Sequence, residues 1–124
     1  MIYGIGIDIV ETGRMEESVR KWGDRFLKRI FHDDEIACCR KRKNIFQCLA
    51  ARFAAKEAFI KALSGGGADL SLPGLKDIAV TNQPSGKPRI RIPQDLAERY
   101  VVNLSISHER HYAVAVVFLE TQEK

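Results

Sequence analysis

The sequence predicts an α+β fold in which a mostly antiparallel sheet packs on one long helix. Three observations lead to this class. Residues 2–9 alternate apolar side chains with glycine or aspartate, which is the period of a strand. Residues 44–63 are rich in alanine and carry apolar residues at helical spacing. Residues 102–108 and 112–119 are two apolar segments joined by a short polar turn, which indicates an antiparallel hairpin.

The other elements follow from local signals. The acids of residues 32–35 favour a helix start, where the helix dipole stabilises negative charge. The glycines of residues 64–67 end the long helix, and Pro93 opens a short one. In chain order we predict strand 2–9, helices 12–22 and 25–31, a helix from 32, the long helix 44–63, strands 78–81 and 88–92 about a turn at 84–87, a helix 93–100, and the hairpin.

Length and composition indicate one soluble domain spanning residues 1–124. The chain is 45% apolar and 29% charged, which argues against disorder, collagen and a coiled coil. No apolar run approaches the ~20 residues of a membrane helix, and the N-terminus has no basic region typical of a signal peptide. Cys38, Cys39 and Cys48 have no metal-ligand spacing, which predicts reduced thiols in a cytoplasmic protein.

The charge distribution favours a polyanionic partner. The formal net charge is +4, and basic residues are concentrated at 14–29 and in the uninterrupted block 40–43. Nucleic acid, a phosphorylated small molecule and an acidic protein all fit this balance. A simple solvated helix face explains each cluster equally well.

Asp8 is an unusual residue for an apolar strand, because aspartate is disfavoured there. It shares its strand face with Gly4 and Gly6, while Tyr3 and the isoleucines lie on the other. The two glycines leave the backbone open to close approach by a bulky group. The alternative is an aspartate at a strand end that caps the next turn.

Glu57 lies beside the apolar stripe of the long helix, which we place on Phe46, Leu49, Phe53 and Ile60. A half-buried glutamate requires a compensating cation. Lys61 is one turn further on, so an ordinary surface pair is the alternative. Arg52 and Lys56 add two cations on a different side of the helix.

Together, Asp8 and Glu57 offer two oxygen ligands to a hard cation. Magnesium is usually held by one or two carboxylates, with water and substrate phosphates completing its shell. The His and Cys residues do not have zinc spacing. The residues alone therefore indicate a magnesium–phosphate enzyme and nothing more specific.

Two segments, GIGIDIVE at 4–11 and RFAAKEAFIKA at 52–62, resemble motifs of the 4'-phosphopantetheinyl transferase superfamily. The segments SGKP at 85–88 and SISH at 105–108 support this resemblance, which covers nearly the whole chain. The length is similar to that of the short, single-lobe members. The resemblance implies an Mg²⁺-dependent enzyme that transfers 4'-phosphopantetheine from coenzyme A to a serine of apo-acyl carrier protein, giving holo-acyl carrier protein and adenosine 3',5'-bisphosphate.

The resemblance also implies roles for individual residues. Asp8 and Glu57 match the magnesium ligands, and Lys61 matches a lysine that meets the phosphates; these three are the implied catalytic residues. The implied coenzyme A contacts are Arg52, Lys56, Lys61, Gly86, Lys87, Pro88, Ser107 and His108. Whether Glu57 or a water held by the metal takes the serine proton stays open.

Short members of the superfamily assemble as homotrimers with their sites between subunits, so Ser107 and His108 are expected to serve a neighbouring chain. The resemblance also implies that the acidic carrier docks on the helix after strand one. If that segment is continuously helical, its basic line comprises Arg14, Lys21, Arg25 and Lys28.

Two other functions fit parts of the sequence. A small basic nucleic-acid-binding protein would explain the charge, but the 8% aromatic residues fall on core stripes and form no stacking platform. A non-catalytic homologue that binds coenzyme A is the second alternative. The intact positions Asp8 and Glu57 argue against it.

Overall fold

The computed structural model describes residues 1–65 and 72–122 and confirms the α+β class. Its elements are β1 (Ile2–Glu11), α1 (Thr12–Ile30), α2 (Asp33–Arg40), α3 (Ile45–Ser64), a short 3-10 helix (Leu75–Asp77), β2 (Ala79–Asn82), β3 (Pro88–Arg91), α4 (Gln94–Ala97), β4 (Tyr100–His108) and β5 (Tyr112–Thr121). Helix α3 ends at Ser64, as predicted, while Gly66 and Gly67 of the predicted stop lie outside the described residues. None of the described helices is long and apolar enough to span a bilayer.

In the part of the chain that the structure describes, the strands form two antiparallel sheets rather than one. The larger has the order β1-β5-β4, and β2 pairs there only with β3. The expectation of a single sheet is therefore wrong. The reason is that the backbone of β2 at Val80 is bonded by side chains of α2 and α3 and not by a third strand.

The glycines of β1 allow α3 to pack directly against the strand. A Cβ atom at Gly4 would lie 1.9 Å from the carbonyl oxygen of Ala62, and one at Gly6 would lie 1.9 Å from that of Ala58. Neither position has room for any side chain. The bulky group that approaches this backbone is thus the helix of the chain itself.

The buried face of α3 differs from the predicted stripe. Leu49 is fully buried, but Phe46, Phe53 and Ile60 are only partly buried. The core is formed instead by the alanines of α3 with Phe59 and Leu63. Small residues face the sheet because the approach of the helix to Gly4 and Gly6 leaves no space for larger ones.

The opposite face of the larger sheet is apolar and exposed. Ile5, Ile7 and Ile9 of β1 are 55%, 59% and 64% exposed. They lie opposite Phe118, Val116 and Val114 of β5, and Phe118 is itself 41% exposed. An apolar surface of this kind is typical of a protein interface.

Helix α1 is interrupted at Gly23, which has φ 62° and ψ −145°. The predicted break between residues 12–22 and 25–31 is confirmed. The break corrects the predicted basic line, because helical spacing does not continue through a residue in this conformation. Arg14 and Lys21 belong to the first segment, whereas Arg25 and Lys28 belong to the second; all four are exposed.

The short helix predicted at 93–100 covers only Gln94–Ala97, and β4 begins at Tyr100. Tyr100 pairs with Thr121 in the sheet. Its ring packs on that of Tyr3, with a centroid distance of 4.8 Å. Tyr100 therefore belongs to β4, where its pairing with Thr121 and its contact with Tyr3 stabilise the strand conformation.

The prediction of three reduced thiols is wrong. Cys39 and Cys48 form a disulfide, with their Cα atoms 5.4 Å apart, and Cys38 is free. Cys39 lies in α2 and Cys48 in the first turn of α3. Because the intervening turn folds these two helices together, the contact is tertiary and no sequence spacing reveals it.

Candidate active site

Three predicted residues meet where β1 packs on α3. The Lys61 Nζ donates to Asp8 Oδ1 at 2.9 Å and to the Ile7 carbonyl at 3.2 Å. The Asp8 side chain is 17% exposed and that of Lys61 is 54% exposed. Glu57 lies one helical turn before Lys61 and is partly buried. The structure thus groups two carboxylates and an ammonium at an accessible edge, which we call the carboxylate site.

The pKa of Glu57 is raised above its ordinary value. The main cause is partial burial, and the second is the negative charge of Asp8. Lys61 acts in the opposite direction and lowers the pKa of Glu57. Two carboxylates that repel each other next to solvent are the donor set that a hard divalent cation prefers. The described residues contain no larger group of three or more metal-ligating side chains.

This charge arrangement makes a prediction for Asp8→Asn. Loss of the negative charge should lower the pKa of Glu57, because Asp8 is one of the two causes that raise it. An NMR titration of the Glu57 side-chain carboxyl carbon without divalent cations measures the shift. Glu17→Asn, an exposed carboxylate on α1, serves as the matched control. An unchanged Glu57 titration in Asp8→Asn would show that the two carboxylates do not interact.

A cavity of about 470 Å³ lies on the other side of α3. Its wall combines the basic turn before α3, the first half of α3, the β2–β3 hairpin and β4. The lining residues include Arg42, Lys43, Gln47, Cys48, Arg52, Asn82, Gly86, Pro88, Ile106 and His108. Three side chains that carry fixed positive charge face a space large enough for part of a nucleotide.

Four residues predicted to contact coenzyme A line this cavity: Arg52, Gly86, Pro88 and His108. Two others do not. Lys87 is exposed and lines a separate groove between β3 and β4. Ser107 is exposed and pairs with Val114 on the outer sheet face, because successive strand residues face opposite sides of a sheet.

Lys56 belongs to the core and not to a ligand site, which corrects its predicted role. Its side chain is 0% exposed. The Nζ donates to Glu35 Oε1 at 2.5 Å, to the Ile30 carbonyl at 2.8 Å and to the Leu75 carbonyl at 3.1 Å. All three ammonium protons are used, and the side chain has no surface for a cofactor. Burial lowers the pKa of Lys56, while Glu35 opposes that change.

The sequence prediction missed two residues of the cavity wall and one buried carboxylate. Arg42 and Lys43 line the cavity, although their block 40–43 was indistinguishable from a solvated face. A sequence feature that could have indicated their position is Asn44, which follows them directly. Its side chain caps α3 by accepting from Gln47 N at 3.1 Å, so Arg42 and Lys43 lie just before the start of that helix. Glu35 is 1% exposed, and no local pattern distinguished it from an ordinary acid in the first turn of a helix.

The carboxylate site and the cavity are separated by α3. Glu57 and Cys48 are nine residues apart, which at 3.6 residues per turn puts them about 180° apart around the helix. Asp8 and His108 likewise lie on β1 and β4, the two edge strands of the larger sheet. One chain therefore presents the carboxylate site and the cavity in different directions.

Comparisons with known proteins agree with this architecture. Residues 4–117 match the model of the 4'-phosphopantetheinyl transferase superfamily. A holo-[acyl-carrier-protein] synthase of Halothermothrix orenii is 45% identical over 124 residues, covering 94% of this chain and 96% of the relative. Among solved structures, a holo-(acyl-carrier-protein) synthase of Bacillus anthracis in complex with CoA (3',5'-ADP) is 38% identical, with a TM-score of 0.80 and coverage of 98% and 99%. The Neisseria meningitidis synthase is 32% identical, with a TM-score of 0.83 and coverage of 98% and 100%.

These similarities assign the chain to a class of group-transfer enzymes. It belongs to the 4'-phosphopantetheinyl transferase superfamily. The predicted family and the predicted enzyme class are confirmed.

Proposed function

We propose that the chain transfers 4'-phosphopantetheine from coenzyme A to a serine of apo-acyl carrier protein. The products are holo-acyl carrier protein and adenosine 3',5'-bisphosphate. The observation that carries the proposal is the pairing of Asp8 and Glu57 beside Lys61 on the family's two motif segments. Coenzyme A and carrier proteins are cytoplasmic reactants, so the chain is expected to act there.

Asp8 and Glu57 are the residues that would hold Mg²⁺. Their fit rests on hard oxygen donors at an accessible edge and on the raised pKa of Glu57, which is caused first by partial burial and second by the negative charge of Asp8. A bound Mg²⁺ neutralises negative charge on the phosphate oxygens of a substrate. Because Glu57 keeps its proton to a higher pH than an ordinary glutamate, cation affinity should fall as the pH drops through that raised pKa.

The transfer needs alignment and charge stabilisation more than covalent help from the protein. The serine oxygen forms a new bond to phosphorus, and the bond to the bridging pyrophosphate oxygen breaks. That oxygen leaves with the bisphosphate, while the serine proton passes to Glu57 or to water. Lys61 contributes its ammonium next to Asp8, where it can stabilise the negative charge that grows on the departing group.

The cavity is proposed to bind the nucleotide end of coenzyme A. Arg42 and Lys43 supply two exposed positive charges for phosphate groups, and His108 adds an imidazole. Arg52 adds its charge from within the wall, where its guanidinium is buried and donates to the Val80 carbonyl. Gly86 lies at the hairpin turn with φ 90°, so the backbone there is open to close approach by a flat ring.

A complete site then requires two chains, and we propose a homotrimer. The carboxylate site of one chain would face the cavity of its neighbour. Ile5, Ile7 and Ile9 provide an exposed apolar surface for such an interface. Ser107 lies on the same sheet face, where it is available to a neighbouring chain.

The interface makes a prediction for Ile7→Arg. A charge in the middle of the apolar sheet face should prevent association, because burying an unpaired guanidinium is strongly unfavourable. Light scattering after size exclusion should then report a monomer with little transfer activity. Leu72→Arg is the control, since Leu72 is 47% exposed and belongs to none of the strands of this sheet. An unchanged trimer mass for Ile7→Arg would place the interface elsewhere.

The acidic carrier is proposed to dock on α1, where Arg14 lies nearest the end of β1 and therefore nearest Asp8. We expect Arg14→Glu to raise the KM for the carrier several-fold and to leave the KM for coenzyme A unchanged. The carrier KM of the parent should also rise with salt, because screening weakens steered association. Arg91→Glu reverses an exposed charge on β3, outside α1 and the 3-10 helix that packs on it, and should behave like the parent. A carrier KM indifferent to both salt and Arg14→Glu would contradict docking on α1.

The direct test of the proposed function is a mass measurement. Purified apo-acyl carrier protein is incubated with the chain, coenzyme A and Mg²⁺, and its mass should increase by one phosphopantetheine. Excess EDTA should abolish the increase. A carrier that keeps its mass while the chain binds coenzyme A would support the non-catalytic alternative, and a shift of generic nucleic acid in a gel would support the nucleic-acid alternative.

A further inference from the structure

Glu35 is the centre of a buried network that connects three elements. Its Oε1 accepts from Lys56 Nζ at 2.5 Å and from the backbone N–H of His32 at 3.0 Å. Its Oε2 accepts from the backbone N–H of Val80 at 3.0 Å. The carboxylate thus bonds α3, caps its own helix α2 and holds strand β2. None of the proposed catalytic steps uses this group.

Both the N–H and the C=O of Val80 are hydrogen-bonded to side chains. Glu35 accepts from its N–H, and Arg52 Nη1 donates to its carbonyl oxygen. Val80 pairs with Ile90 within the hairpin, but its own N–H and C=O are directed towards α2 and α3. Two buried charged side chains therefore complete the outer edge of β2, a position at which a larger sheet would have another strand.

The two hydrogen bonds to Val80, which we call the clamp, fix the position of one wall of the cavity. The hairpin that begins with β2 carries Gly86 and Pro88, and the facing wall carries Arg52 and His108. Among the described residues no backbone ladder joins the hairpin to the larger sheet. The bonds of Glu35 and Arg52 to Val80, together with apolar packing, fix the distance between the two walls.

We propose that Glu35 is a positioning residue for coenzyme A: by clamping Val80 it holds the hairpin wall of the cavity in place for the nucleotide. This inference rests on the proposed function of the cavity. Glu35 does not touch the ligand, and its effect reaches the ligand through Val80, Gly86 and Pro88. Its loss should weaken coenzyme A binding without altering the chemistry at Asp8 and Glu57.

A simple Glu35→Ala replacement is a poor test, because it leaves Lys56 buried without its counter-charge and the protein is expected to unfold. Two double variants avoid this problem. Glu35→Gln with Lys56→Met removes both charges and keeps an oxygen that can accept from Val80 N–H. Glu35→Leu with Lys56→Met removes both charges and also the acceptor. Their comparison isolates the clamp from the buried ion pair.

The two double variants are compared by steady-state kinetics, and circular dichroism measures the folded fraction of each. We expect the KM for coenzyme A to be about tenfold higher in the leucine double than in the glutamine double, as for loss of one buried hydrogen bond. The kcat and the carrier KM should differ by less than about twofold, since neither step uses the hairpin wall. A purely structural role would lower thermal stability and leave the coenzyme A KM equal in the two doubles, which would overturn the inference. Absence of transfer by the parent protein would instead refute the proposed function.

Discussion

Glu57→Gln should reduce phosphopantetheine transfer by on the order of 10²–10³-fold, the range for loss of one electrostatic contact to a transition state. Glutamine keeps the volume of the side chain and removes its charge. The site then keeps a single carboxylate, that of Asp8, which remains paired with Lys61 at 2.9 Å. The affinity for Mn²⁺, which prefers the same oxygen ligands as magnesium, should fall together with the activity. Rates come from the carrier mass assay and affinity from calorimetry.

The control for this variant is Glu17→Gln, an exposed glutamate on α1. It removes the same charge from the chain and should leave both the rate and the Mn²⁺ affinity at parent values. The melting temperature of Glu57→Gln should not fall, because the replacement relieves the cost of burying a charge beside Asp8. A well-folded Glu57→Gln with a rate within about tenfold of the parent would remove Glu57 from the proposed site.

Gly6→Ala should be strongly destabilising although it adds a single methyl group. The new Cβ would lie 1.9 Å from the carbonyl oxygen of Ala58 and 2.7 Å from the backbone nitrogen of Ala62. Both are main-chain atoms, so α3 must move away from β1. We expect a loss of at least about 3 kcal/mol, the upper range for overpacking, and a melting temperature lower by roughly 10 °C. Folded Gly6→Ala should also lose activity, because Asp8 would separate from Glu57 and Lys61.

Gly13→Ala provides the matched comparison. Its Cβ would meet only the Glu11 Oε1, at 3.8 Å, in the first turn of α1. There alanine is a better helix former than glycine, so the variant should be as stable as the parent or up to about 1 kcal/mol more stable. Thermal unfolding followed by circular dichroism measures both variants. Equal stability of Gly6→Ala and Gly13→Ala would contradict the close packing of β1 on α3.

Local and periodic features could be predicted from the sequence. The strand of alternating glycines, the alanine-rich helix and the final hairpin each depend on residues a few positions apart. Asp8 and Glu57 could be paired because each is unfavourable in its own element. The break of α1 at Gly23 also came from local composition.

Contacts between distant segments could not be predicted. The resemblance implied that Lys56 contacts coenzyme A, and no local pattern indicated that its counter-charge, Glu35, lies 21 residues earlier in another helix. Cys39 and Cys48 looked like free thiols because only the fold brings α2 and α3 together. The predicted stripe on α3 was wrong because ordinary amphipathic spacing assumes a partner with side chains, and Gly4 and Gly6 have none.

The central claim is that one transfer site combines the carboxylates of one chain with the cavity of another. It is tested by mixed trimers of Glu57→Gln chains with chains carrying Lys43→Glu and His108→Ala. Two different affinity tags select trimers that contain both kinds of chain, and each variant alone should be nearly inactive. In a cyclic trimer with head-to-tail contacts, one of the three interfaces then joins intact carboxylates to an intact cavity, so mixed trimers should recover about one third of the parent rate. Mixed trimers no more active than the separate variants would mean that the site lies within a single chain and would contradict the account.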